Sequence, residues 1–362
     1  MAVDSGVNPA SASETFIDYS ALRALVVEDY PGMRNALRLS LNNFGITRVQ
    51  LAANAAEAIF QVKQKSYDFI LCDFNLGDGR DGQQLLEELR HSHLISLETV
   101  FMMVTAESYY EKVVATAELA PDDYMIKPFS PEVLRSRLES ILLRKRAFRD
   151  VYRHFQAQEL EAAIAGCDKL IQGKPKYLVD ALRFKGELLV ALERFEEAEA
   201  LYQQVISMRA IPWARLGLSR ALHLQSKDEA AEDVLRDVME QAPEMVAAYD
   251  LLSDVCLARK DAPAAQVALE KGVAISARTV RRQQKLGEIA HTNGDLDTAR
   301  TAFSNVLEKG RHSVFVTPDD FGNLCRVQVE QGDLQGAADT LKKNKSTLQA
   351  SPERQLVMAV TQ

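Results

Sequence analysis

Ala24-Leu25-Val26-Val27-Glu28-Asp29 is a run of four apolar residues that ends on two carboxylates. Four residues are too few for a helix, and apolar side chains at every position suit a strand covered on both faces. The pattern recurs at Val49-Gln50-Leu51 and at Phe69-Ile70-Leu71-Cys72, the latter followed by Asp73. It recurs again at Val100-Phe101-Met102-Met103-Val104 before Thr105, and at Tyr124-Met125-Ile126 before Lys127. Between and after these runs, residues 31–44, 53–65, 82–91, 109–119 and 131–144 carry apolar side chains at helical spacing. Strands alternating with helices over 20–145 predict an α/β fold with a doubly wound, five-stranded parallel sheet. Sheets of this kind bind ligands beyond the carboxyl ends of their strands. Glu28, Asp29, Asp73, Thr105 and Lys127 are therefore expected on one rim.

The chemistry of that rim follows from its residue types. Three carboxylates together are costly unless a cation neutralises them, and hard oxygen ligands suit Mg²⁺. A lysine and a hydroxyl beside them suit a phosphoryl group. The set reads as a site for Mg²⁺-assisted phosphoryl transfer to a carboxylate.

From about residue 146 the strand pattern stops and helix pairs take over. Small residues followed four later by a larger one recur at Ala163/Cys167, Ala198/Tyr202, Ala231/Leu235, Ala265/Leu269, Ala299/Phe303 and Ala337/Leu341. The alanines are 35, 33, 34, 34 and 38 residues apart. Twelve residues before them stand Val151, Gly186, Ser219, Ser253, Gly287 and Cys325, small in every unit but the first. Small residues at fixed places let two helices approach closely, and a helix pair repeating at about 34 residues resembles the tetratricopeptide solenoid. The longer last interval contains 311–320, where a loop is expected.

Residues 20–145 resemble the receiver domain of two-component response regulators, a flavodoxin-like fold. The resemblance rests on Leu25-Val26-Val27-Glu28-Asp29, Ile70-Leu71-Cys72-Asp73-Phe74-Asn75-Leu76, Val104-Thr105-Ala106-Glu107 and Asp123-Tyr124-Met125-Ile126-Lys127-Pro128-Phe129. It implies that Asp73 is the phospho-acceptor and that Glu28, Asp29, Asp73 and the backbone carbonyl of Asn75 hold Mg²⁺. It implies that Lys127 pairs with the phosphoryl oxygens, that Thr105 bonds another of them, and that Tyr124 turns inward as Thr105 moves. A cis Lys127–Pro128 peptide is implied as well. Receivers catalyse only their own phosphorylation and dephosphorylation, so no further enzyme activity is expected. The loop Asn75-Leu76-Gly77-Asp78-Gly79-Arg80-Asp81-Gly82 departs from the family, which more often has a proline and a shorter stretch here. Asn75 and Glu107 form the pair of chemotaxis-type receivers, which accompanies short-lived phosphorylation.

In the tetratricopeptide pattern the second, fifth, ninth and twelfth positions of each first helix line a groove. These include Arg183, Trp213, Arg220, Asp250 and Arg281, the candidate partner contacts. Trp213 also reads as a residue packed at a helix start after Pro212. From 131 to 165 there is one glycine-free stretch with no proline after Pro131, so the last helix of the α/β domain is expected to run into the first repeat or break near Arg144-Lys145-Arg146. The basic residues Arg144, Lys145, Arg146, Arg149 and Arg153 read as a solvated helix face.

The remaining composition excludes more than it assigns. The chain has 362 residues, 47% hydrophobic and 26% charged, which fits a folded multidomain protein. A net charge of −8 leaves no basic excess for phosphate backbones, so no nucleic acid is expected. Residues 1–19, rich in Ser, Ala and Asn, read as a flexible leader without a signal peptide or membrane span, pointing to a cytoplasmic protein. Cys72, Cys167, Cys256 and Cys325 read as buried, reduced thiols. The expected organisation is a leader at 1–19, a receiver at 20–145 and an all-α solenoid of about six helix pairs at 146–362. A sensor histidine kinase or phosphotransfer protein would supply the phosphoryl group. The solenoid would bind a protein partner, and a phosphorylation-linked homodimer is a further expectation. Two other readings stay open: a constitutive scaffold that uses the receiver only for docking, and a phosphate sink with rapid self-dephosphorylation.

Overall fold

The computed structural model describes residues 17–106, 121–209, 211–277 and 279–343. The expected helix over 109–119, Glu107 and most of the leader lie outside the described residues. Residues 17–19 are described and are not a loose leader. Asp18 caps a short 3-10 turn, Tyr19–Ala21, by accepting from the Ser20 amide at 3.0 Å.

Five strands form one parallel sheet in the order β2-β1-β3-β4-β5. They are β1 (Arg23–Val27), β2 (Arg48–Ala52), β3 (Phe69–Asp73), β4 (Val100–Thr105) and β5 (Asp123–Ile126). Alternation along the strands gives each face its own core. Leu25, Val27, Ile70, Cys72, Phe101 and Met103 pack with α2 (Ala55–Gln64) and α3 (Gly82–His91). Ala24, Val26, Phe69, Leu71, Met102 and Val104 pack with α1 (Pro31–Asn43) and α4 (Pro131–Ala147). Central strands β3 and β4 are buried at every residue, which is why they read as continuous apolar runs.

Local chemistry starts the helices where the sequence changes character. Asp81 and Gln84 make a capping box at the start of α3. Ser130 caps α4, with Pro131 in its first turn. α4 stops at Ala147; Phe148 departs from helical dihedrals (φ −89°, ψ 2°) although its amide still donates to Arg144 O, and α5 (Arg149–Gln156) follows at once. The junction is thus a one-residue break in helix, two residues past the expected arginine-lysine-arginine stretch.

The helix pairs are α5 with α6 (Leu160–Gly173), α7 (Leu178–Ala191) with α8 (Phe195–Met208), and α9 (Pro212–Leu224) with α10 (Asp228–Gln241). They continue as α11 (Val246–Ala258) with α12 (Ala262–Ile275), α13 (Val280–Thr292) with α14 (Leu296–Lys309), and α15 (Pro318–Glu330) with α16 (Leu334–Lys343). The repeat alanines 163, 198, 231, 265 and 299 are fully buried. Small residues opposite them make room for aromatic rings. A Cβ on Gly186 would lie 2.5 Å from the Tyr202 hydroxyl oxygen, and one on Gly287 would lie 2.7 Å from the Phe303 ring. In the first pair Val151 takes the place of the small residue, and Gly166 gives way instead: a Cβ there would lie 2.9 Å from Val151.

Each pair turns through one residue with positive φ, five before the alanine. These are Gln158 (60°), Glu193 (58°), Ser226 (60°), Lys260 (62°), Gly294 (79°) and Gly332 (80°). The extra residues before α15 form a loop between Lys309 and Pro318, while Asp319 and Asp320 belong to the first turn of α15. All four cysteines are buried and free. No helix among the described residues is long and apolar enough to cross a membrane.

Two compact units share the chain. One comprises the described residues up to 181, and the other the described residues from 182 on. The first repeat pair therefore belongs to the same compact unit as the sheet.

Candidate functional site at the sheet rim

Parallel register brings the expected rim residues together. Glu28 follows β1, Asp73 ends β3, Thr105 ends β4 and Lys127 follows β5. Carboxylate oxygens of Glu28, Asp29 and Asp73 lie within 4.8 Å of one another. Lys127 Nζ donates to Glu28 Oε2 at 2.8 Å and to Asp73 Oδ2 at 3.0 Å. Its backbone amide donates to Thr105 O at 2.7 Å, which ties the lysine to the end of β4. The Lys127–Pro128 peptide is cis.

The charges are unequal in their exposure. Glu28 is 2% exposed and Asp73 9%, whereas Asp29 is open to solvent. Burial pushes the Glu28 carboxyl above its usual range; the Lys127 bond opposes this and the Asp73 charge adds to it. Burial pulls Lys127 down, but its bonds to Glu28 and Asp73 and their charges outweigh that and hold it above the ordinary lysine value. Lys127 is thus a cation at neutral pH. Three carboxylates against one ammonium leave the rim net negative, and this hard-oxygen donor set fits Mg²⁺.

Thr105 is buried beside this cluster, at 4% exposure. Tyr124 is half-buried and packs against the core cluster that holds Leu86, Phe101 and Met103. Burial raises its hydroxyl well above the usual tyrosine range. Asn75 is exposed, two residues beyond Asp73.

Four further residues shape the site, Arg34 and three glycines of the 75–82 loop, and the sequence alone did not show their roles. Arg34 on α1 donates to the backbone carbonyls of Glu28 and Asp29 and so holds the acidic loop by its main chain. Its only signal is a basic residue one turn into the helix after the acidic pair. Gly82 donates to Phe74 O at 2.8 Å, and a Cβ there would lie 2.3 Å from Asp73 O. Only glycine permits that closure of the loop behind the acceptor. Gly77 (φ 73°) and Gly79 (φ 111°) supply the left-handed turns that the loop needs, with Gly77 beside Asp29.

Of the groove candidates, Arg183 and Trp213 meet, while Asp250 and Arg281 each engage a residue outside the set. Arg183 pairs with Glu187 at 3.3 Å and lies 6.0 Å from the centre of the Trp213 ring. Trp213 also meets Tyr202 edge-on, so its helix-start packing is real. Arg281 lies over the Phe315 ring at 4.1 Å. Asp250 is held by Arg282, whose Nε and Nη2 both donate at 2.6 Å. Arg220 is exposed and forms no ion pair among the described residues. Position counting missed Arg282, which lies one residue after the groove position at 281 and is 5% exposed.

Similarity to known proteins follows the same division. Residues 24–139 match the family model of the response regulator receiver domain, and residues 185–246 match a tetratricopeptide repeat model. The chemotaxis protein CheY-3 of Vibrio cholerae serotype O1 is 28% identical over 123 residues, 34% of this chain and 93% of that protein. Chemotaxis protein CheY of Pseudomonas aeruginosa is also 28% identical over 123 residues, covering 34% of this chain and 98% of that protein. Among solved structures, a CheY-like receiver domain protein from Methanospirillum hungatei shares 25% identity over 34% of this chain and 96% of its own, with a TM-score of 0.32. Pseudomonas aeruginosa pilF shares 16% identity over 60% of this chain and 96% of its own, with a TM-score of 0.45. With a receiver match over the sheet and a repeat match over part of the helix pairs, the chain joins a response regulator receiver domain to a tetratricopeptide repeat region.

Proposed function

We propose that the chain takes a phosphoryl group on Asp73 from a sensor histidine kinase or a phosphotransfer protein, and that its repeats pass the signal on by binding another protein. The observation that carries this is the buried Asp73 carboxylate, at the end of β3, within reach of Lys127 and two further carboxylates. An Asp73 oxygen attacks phosphorus; the oxygen–phosphorus bond forms as the bond from phosphorus to the donor nitrogen breaks, and the electron pair leaves with the imidazole. Glu28, Asp29, Asp73 and the Asn75 carbonyl would hold Mg²⁺, which when bound neutralises charge on the transferring oxygens. Lys127 releases Asp73 Oδ2 and donates to a phosphoryl oxygen, and the Thr105 hydroxyl donates to another. Withdrawal of Thr105 toward the phosphoryl group leaves space into which Tyr124 moves. The domain assignment that goes with this reading is a receiver at 20–145 and a repeat output region at 146–362.

Incubation with acetyl phosphate and Mg²⁺, followed by intact-mass measurement, tests the acceptor. The parent chain is expected to gain one phosphoryl group and the Asp73→Ala variant none. Equal gain in both, or none in a folded parent supplied with acetyl phosphate and with a phosphohistidine donor, would remove Asp73 from this role.

A further inference from the structure

The groove-facing positions of the first repeat are already filled. Counted back from Ala163, its second, fifth and ninth positions are Lys145, Phe148 and Tyr152. The same positions of later repeats include Arg183, Arg220 and Asp254, which are exposed. Lys145 instead is 7% exposed and Phe148 is 2% exposed. This departs from the solvated basic face expected there, because the lysine points into the α/β domain. Lys145 Nζ donates to Leu97 O at 2.6 Å and pairs with Asp122 at 2.7 Å. It also lies 5.4 Å from the centre of the Tyr152 ring. Four residues on, Arg149 pairs with Glu98 at 3.2 Å. Phe148 stacks on Tyr152 at 5.7 Å and meets Tyr177 edge-on.

Both receiver segments in this contact are anchored in turn. Asp122 accepts from the Phe101 amide at 2.9 Å and its own amide donates to Phe101 O at 2.7 Å. Arg90 donates to Ser96 O at 2.8 Å and faces Asp122 at 3.7 Å. The segment before β4 and the residue before β5 thus present a carbonyl and two carboxylates to two cations at the passage into the first repeat, Lys145 near the end of α4 and Arg149 at the start of α5. Asp122 is adjacent to β5, the strand that ends at Lys127 of the acceptor site.

We propose that the receiver is the resident occupant of the groove face of the first repeat, and that Lys145 is the latch that keeps this face closed. The kind of partner that would compete for it carries acidic side chains spaced to reach Lys145 and Arg149. A buried ammonium that loses its anionic partner keeps only the Leu97 carbonyl and the Tyr152 ring, which do not neutralise its charge, so opening is steeply sensitive to either member of the Lys145–Asp122 pair.

Hydrogen exchange on the full chain, read by mass spectrometry, tests this independently of phosphorylation. Lys145→Met keeps the aliphatic stem and removes the charge. It is expected to speed exchange at least about tenfold in 96–101 and in 149–156 together, with 262–275 at the parent rate. Lys145→Arg, which keeps the cation, should stay near the parent. A uniform rise in all three segments, or a rise in 96–101 with 149–156 unchanged, would overturn the latch. If Lys145→Met does not fold, Asp122→Asn reads the same pair from the other side, with the same two outcomes deciding.

Discussion

Glu28 is buried beside Asp73 and faces Lys127, and its folded pKa lies above its ordinary value. Folding therefore favours the protonated form. As pH rises through and beyond the ordinary carboxylate range, ionisation of Glu28 removes stability. A divalent cation on the rim reverses that loss, because it binds the ionised folded form. Millimolar Mg²⁺ should raise the thermal midpoint more at about pH 7.5 than at about pH 5, and Glu28→Gln should weaken Mg²⁺ binding at least about tenfold while flattening this pH dependence. Thermal unfolding with and without Mg²⁺ at both pH values checks it; a midpoint shift that ignores pH would contradict it. Single residues at strand ends were readable from sequence because each follows an apolar run that topology carries to one rim. Gly82 and Arg34 were not. Their roles depend on where a loop and a helix face fold back onto Asp73 and Glu28, which no local pattern encodes.

Elements repeat more faithfully than residues do. The strands stand within a residue or so of the apolar runs, since a run with both faces buried has little freedom in where it begins and ends. The helix pairs were visible through their alanines. Their turns at 193–195, 226–228, 260–262, 293–295 and 331–333 were legible from the repeat spacing rather than from residue type, because only Gly294 and Gly332 carry the residue type that favours positive φ. Gln158, Glu193, Ser226 and Lys260 adopt the same backbone without it. A left-handed conformation costs an L-residue about 1–2 kcal/mol, partly offset by the greater chain entropy of an unfolded glycine. Lys260→Gly is therefore expected to stabilise the second unit by about 0.5–1 kcal/mol. A rise in the urea midpoint would show it; a fall would mean that the lysine side chain contributes more than its backbone costs. The first repeat shows compensation at the same level. Val151 broke the small-residue pattern, and the structure accommodates it with Gly166 across the helix pair, a residue that only the contact itself identifies.

Across the whole molecule, strand signals end near residue 145, but the compact unit that holds the sheet continues to Ala181. Pattern and contact differ because Lys145, near the end of α4, and Arg149, at the start of α5, bind receiver segments where the chain passes into the repeat. Sequence periodicity records which helix faces pack and is silent on long-range ion pairs such as Lys145–Asp122. The same unit holds the acceptor rim at one end of β5 and the Asp122 latch at the other. A rearrangement of Thr105, Tyr124 and Lys127 on phosphorylation has a short route to the first repeat through that strand. The most direct test of this account is hydrogen exchange of the full chain with Mg²⁺, in the presence and absence of acetyl phosphate, with Asp73→Ala treated alike. The account predicts that phosphodonor changes exchange in 122–127 and in 149–156 of the parent and in neither segment of the variant. The same change in parent and variant, or a fully phosphorylated parent in which both segments exchange as before, would contradict it.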